Sequence, residues 1–249
     1  MSIISRFGTA VRDRDWGTAV IDVIVVAIGI LMALAVDNWN TEREYGAREI
    51  QILRRVHEQV HNVEPALSRH YEISRERHDD LVEARRIFYG IKPSRDLSVE
   101  ECDTLAQSHQ LEPGDWRIPA FEELMYSGQL SSLYDSQIRD AGLRFLEYRD
   151  IQEPRIAWSG VFRTALPIEF PDLVRVELRA TDNPNDTDGL VPGGICDVEG
   201  MMANAKFMHA FNENLQYVIQ IHTMMGDSLE GLEGLHKLID KKLNIEHSE

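Results

Sequence analysis

The sequence predicts an all-α protein: a single N-terminal transmembrane helix followed by an extracytoplasmic antiparallel helical bundle with one long irregular segment. Three observations carry this prediction. Residues Trp16 to Val36 are a run of twenty-one with one charge, Asp22, long enough at about 1.5 Å per residue to cross a hydrocarbon layer of about 30 Å. Beyond it, apolar residues recur at helical spacing through most of the chain. Pro and Gly concentrate between 165 and 197, which excludes a continuous helix there.

Length and charge narrow the class. Residues 37–249 suffice for one helical domain with its own core. The formal net charge of -16 excludes nucleic acid as a partner class, and also a domain lying flat on anionic lipid, because both reward clustered Lys and Arg. The partners expected are the lipid bilayer and either other membrane-protein subunits or further copies of this chain. Cys102 and Cys196 lie beyond the span without CxxC spacing and fit either a pair of buried thiols or one disulfide.

In chain order, residues 1–15 place Ile3, Ile4, Phe7 and Val11 at helical spacing among Arg6, Arg12 and Arg14, a pattern that suits a short interfacial helix. These arginines precede the span, whereas Asp37 follows it and the next cation is Arg43, so the charge bias predicts a cytoplasmic N-terminus and a domain in the bacterial periplasm. Ala33-Leu34-Ala35 also matches a signal-peptidase site; an uncleaved anchor is the expectation. Trp16 and Trp39 bracket the span about 34 Å apart at helical rise, where interfacial indoles are expected. Thr18, Asp22, Gly29, Ala33 and Asn40 recur at steps of four, seven, four and seven, giving a face of small and polar side chains. Asp22 reads as an interface-level carboxylate, as part of a helix–helix contact, or as part of a proton or ion path.

The pattern Asp22-x-x-x-Val26-x-x-Gly29-Ile30-x-x-Ala33-x-x-x-x-Asn38-Trp39-Asn40, with Phe121-Glu122-Glu123-Leu124-x-x-Ser127-Gly128-x-Leu130 and the helical stretch to Tyr148, resembles a family of bacterial single-pass membrane proteins known only as a domain of unknown function. That family usually carries Glu at the position of Asp22. The resemblance covers the anchor and the middle of the domain. It implies an N-terminal anchor with an envelope-exposed helical domain, and it implies no activity.

Residues Thr41 to Val63 continue as a charged helix with Ile50, Leu53, Val56, Val60 and Val63 on one face. Pro65 is expected to begin a new helix or kink the old one, and Gly90 to stop the second piece. Ser98 and Glu101 form a capping box, which starts a helix carrying Cys102. Glu112-Pro113-Gly114-Asp115 marks a loop. Pro119 opens the Phe121 helix and Gly128 ends it. From about Ser132 a long amphipathic helix carries Leu133, Ile138, Leu143 and Leu146, with Trp158 as a candidate last member and a break or kink expected at Pro154. Within 165–197, Val174 to Leu178 alternates like a strand but has no evident partner. A last helix from about Val198 to Met225, resuming through Leu243, carries Met201, Met202, Phe207, Met208, Phe211, Leu215, Val218 and Ile221, a stripe that reads as core.

Three patterns bear on chemistry. His57-Glu58-Gln59-Val60-His61 is a literal HExxH, which on a helix sets two imidazoles one turn apart with Glu58 able to activate a metal-bound water. Arg54 and Arg55 on the preceding turn, and the lack of a third-ligand motif, favour solvated or satisfied histidines over a zinc site; His70 or His78 reaches only if the chain folds back. Residues 182–189, DNPNDTDG, miss the calcium-loop pattern, since the first-ligand position falls on Pro184 and the closing one on Ile195. No Gly-rich phosphate loop and no GxSxG elbow is present. No cofactor, metal or catalytic residue is therefore expected. The function expected is a membrane-anchored accessory or scaffold subunit, not an enzyme. The alternatives are a periplasmic ligand-binding or sensory helical module and, behind it, a zinc-dependent hydrolase.

Overall fold

The structure, a computed structural model, describes residues 16–111, 116–180 and 189–246. The interfacial segment before Trp16, the loop at 112–115 and residues 182–188 of the acidic stretch lie outside the described residues. Among the described residues the fold is all-α apart from one pair of antiparallel strands. It divides into two compact units, residues 1–52 and 53–249.

Helix α1 (Trp16–Phe88) runs without interruption through Pro65, so the first of the two expected alternatives, a new helix beginning there, does not hold. Pro65 lies on the exposed face, as does His61, so the His61 carbonyl that loses its i+4 donor can be hydrated. Leu53, Val56, Val60 and Leu67 on the other face are buried and hold the helical path. Gly90, at φ +67, follows the helix end as expected.

Helix α2 (Val99–Ala106) starts at the predicted capping box: Glu101 N donates to Ser98 Oγ at 3.2 Å and Ser98 N donates to a Glu101 carboxylate oxygen at 2.7 Å. A 3-10 turn (Ser108–Gln110) follows. Helix α3 (Pro119–Tyr126) begins on its proline and gives way to a left-handed Gly128. Helix α4 (Ser136–Gly160) starts four residues later than expected, because Asp135 Oδ1 accepts from the backbone N–H groups of Gln137 and Ile138 and sets the start there. It runs through Pro154, again on an exposed face. Trp158 is 68% exposed and does not join the core stripe.

The segment expected to be irregular holds a short helix α5 (Leu166–Glu169) and two antiparallel strands, β1 (Val174–Ala180) and β2 (Leu190–Cys196), in register Val174↔Cys196 through Ala180↔Leu190. The predicted strand therefore has a partner. The partner escapes a propensity reading because it contains Pro192, Gly193 and Gly194, and the structure shows why glycine is needed there. A Cβ at Gly194 would sit 2.7 Å from the Cys102 carbonyl oxygen. The bare backbone lets β2 lie against α2, where Gly194 N donates to Asp103 Oδ1 at 2.6 Å and Arg179 of β1 pairs with the same carboxylate. The Cys102–Cys196 disulfide closes this junction, with Cα atoms 6.0 Å apart.

Most of the last stripe is core, as expected, but Met202 is exposed and Met208 half-buried. The stretch divides into α6 (Val198–Ala203) and α7 (Ala205–Leu243), and α7 runs past Met225 without the expected interruption. Asn204 makes the break, its side chain accepting from Lys206 N and Phe207 N. Helix α7 runs antiparallel to α1 and α4. Along α1, His57 meets Asp240, His78 meets His222 and Phe88 meets Phe211. Along α4, Asp135 meets Lys242 and Tyr148 meets Asp227.

Candidate functional site

Two places combine exposure or burial with chemistry. The first is the apolar stretch of unit 1. Its large side chains from Val20 to Val36 are exposed in the chain alone, and the helix is long and apolar enough to cross a membrane. Asp22 is half-exposed and Ala33 and Asn40 are exposed. A Cβ added at Gly29 meets nothing within 4 Å. The side chains of Trp16 and Thr18 lie outside the described residues. At the far end, Arg43 sits over the exposed Trp39 ring at 5.9 Å. Asn38 and Asn40 donate to Glu42 and Glu44 at 3.1 and 2.9 Å.

The second place lies inside unit 2, where α1 faces the end of α7. His57 Nε2 is 2.9 Å from Asp240 Oδ1, and His236 Nε2 is 3.6 Å from the same oxygen. These three atoms are buried, and one ligand atom from each residue lies within 4.8 Å of the others. Behind them, His236 Nδ1 is 2.5 Å from Glu64 Oε2. The spacing explains the convergence: His236 and Asp240 are one turn apart on α7, and His57 and Glu64 two turns apart on one face of α1. His61, the second histidine of HExxH, is exposed, with its ring centroid 6.2 Å from those of His57 and His236. Glu58 is exposed as well. Of these four residues only His57 stands out in the sequence; Glu64, His236 and Asp240 do not. The His-x-x-x-Asp spacing was the available signal, with nothing to say which helix it would face.

Farther along the same helix pair, His222 lies between two rings, Tyr71 at 5.0 Å and His78 at 4.9 Å, with Ser74 Oγ 3.2 Å from its Nδ1. Burial and then the His78 charge push the His222 pKa down. His109 is pushed down by burial and by Arg163. Asn214, wholly buried at mid α7, is satisfied: its amide donates to Ser108 Oγ and the Thr164 carbonyl at 2.8 Å each and its oxygen accepts from Thr164 N at 2.9 Å. It is a structural tie between the loops and α7. The family-like segment is also structural: Phe121 and Leu124 are buried, Glu122 pairs with Arg149 and Glu123 with Arg55. Compared with models of known families, with curated proteins and with solved structures, the chain matches none.

Proposed function

We propose that the chain is a membrane-anchored accessory or scaffold subunit of the bacterial inner membrane, N-terminus cytoplasmic and unit 2 periplasmic. In this reading it assembles through its transmembrane helix and helical domain with itself or with a larger membrane complex. The observation that carries the reading is the surface of unit 1: exposed Val, Ile and Leu side chains suit lipid, and Asp22, Gly29, Ala33 and Asn40 give a band where a second helix can approach closely. The resemblance of the anchor and the Phe121 helix to bacterial single-pass membrane proteins supports it. So does the Cys102–Cys196 bridge, which suits an oxidising compartment. The exposed Trp158, Val161 and Phe162 at the end of α4 add an apolar surface on unit 2. The contribution is assembly rather than catalysis.

The sensory alternative draws on the groove between α4 and α7, where a cleft of about 570 Å³ is lined by Gln152, Gln220 and Met224. That cleft is open to solvent, and of the methionines only Met224 reaches it, while Met201 and Met225 are packed into the core. The hydrolase has less support, since Glu58 and His61 face outward. The assembly reading is tested with Gly29→Leu and Ala33→Leu. Open space around Gly29 means the chain's own fold tolerates the added side chain, so a fall in complex size reports a lost helix contact. Unchanged size in both variants contradicts the reading.

A further inference from the structure

We propose that unit 2 carries a divalent transition-metal site, best suited to zinc, in which His57 Nε2, His236 Nε2 and Asp240 Oδ1 bind the ion and Glu64 orients His236. This stands independently of the assembly reading.

The geometry is close to what such an ion requires. Tetrahedral bonds of about 2.0–2.1 Å place donor atoms about 3.3 Å apart. The two edges that meet at Asp240 are 2.9 and 3.6 Å, one below and one above that value, and the third, between the two imidazole nitrogens, lies within 4.8 Å. Side-chain adjustments of a few tenths of an ångström bring both Asp240 edges to it. The donors come from two packed helices rather than loops, which holds them in place before an ion arrives.

The donor set selects the class of ion. Two imidazoles and one carboxylate suit a borderline cation such as zinc, whereas calcium and magnesium take oxygen ligands. The contact from His236 Nδ1 to Glu64 Oε2 is the carboxylate–histidine relationship found behind metal-bound imidazoles. A carboxylate there accepts the Nδ1–H, which leaves the Nε2 lone pair for the ion and raises its basicity. Charge balances as well: the carboxylates of Asp240 and Glu64 neutralise a dication in a place where the donor atoms are buried. The ion acts as a staple between the 57–64 segment of α1 and the 236–240 segment of α7. His61 and Glu58 stay outside it, so the site is not the one HExxH describes.

The test uses full-length protein in mild detergent, carried on a tag without histidine and stripped with chelator. Titration with zinc chloride against a chromophoric chelator is expected to give one equivalent. Cobalt(II) is expected to give the visible bands of a tetrahedral ion. His57→Ala and His236→Ala each abolish the stoichiometric site, Glu64→Gln weakens it about 10- to 100-fold, and His61→Ala leaves it unchanged. Zinc raises the wild-type thermal midpoint by on the order of 5 °C and leaves the His236→Ala midpoint where it is. Should the alanine variants fail to fold, the wild-type zinc and cobalt titrations decide alone. Folded wild type without stoichiometric zinc overturns the proposal and makes the cluster a plain ionic network. So does zinc that survives His236→Ala or that depends on His61.

Discussion

Gly142 of α4 and Phe121 of α3 occupy one space: a Cβ at position 142 would lie 1.8 Å from Cζ of the Phe121 ring. Phe121 is almost wholly buried, so the ring cannot turn into solvent to make room. Gly142→Ala is therefore expected to destabilise the domain by about 2 kcal/mol, the overpacking cost exceeding the gain of about 1 kcal/mol in helix propensity. Phe121→Ala is expected to cost about 3–5 kcal/mol. In the double variant the two costs should fall short of their sum, because the alanine at 142 then meets no ring. Denaturant unfolding of the four proteins measures this.

The disulfide joins residues separated by 94 positions, a loop long enough for its closure to contribute about 4.7 kcal/mol in the chain-entropy account. Reduction, or a Cys102→Ser and Cys196→Ser pair, should lower the thermal midpoint by roughly 10 °C. The loss should begin at the α2–β2 junction, visible as earlier hydrogen exchange at Gly194 N. Protein alkylated during cell lysis should show both cysteines already oxidised if unit 2 resides in the periplasm.

Much of the helical layout was legible because its signals are local. Gly90, the Ser98–Glu101 box, Pro119 and Gly128 each act on a neighbouring turn, and the structure uses each as read. The misreadings share another cause. Pro65 and Pro154 each remove one helix hydrogen bond and crowd the carbonyl four residues back, but both lie on exposed faces where water can take that carbonyl, and burial on the opposite faces carries α1 and α4 past them without a break. Strand β2 is interrupted in composition by Pro192, Gly193 and Gly194; it exists because β1, Asp103 and Cys102 hold it. His57 shows the same limit in the candidate site. Its HExxH neighbours were plain in the sequence, but its companions His236 and Asp240 come from a helix about 180 residues farther along the chain.

Stability is expected to fall on mild acidification. Burial and the neighbouring His78 lower the folded pKa of His222 below its ordinary value of 6.5, and burial does the same for His109. Between each folded value and 6.5 the unfolded chain binds the proton and the folded chain does not. Stability is thus full above 6.5 and is lost as pH falls from there through the folded values. Glu101 acts at lower pH with a carboxylate's sign: the Arg95 hydrogen bonds hold its pKa below 4.5, so its contribution is lost as pH falls through that folded value. Thermal midpoints measured between pH 8 and 5 should decline, and His222→Gln should flatten the decline.

Extraction of the full-length protein in mild detergent, followed by size analysis and mass spectrometry of what accompanies it, tests the assembly reading most directly. A scaffold or accessory subunit gives a defined particle well above the 28.5 kDa chain and its micelle, containing further copies of this chain or other membrane subunits, and shrinking in Gly29→Leu. A lone monomer that stays folded and is indifferent to Gly29→Leu would contradict that reading.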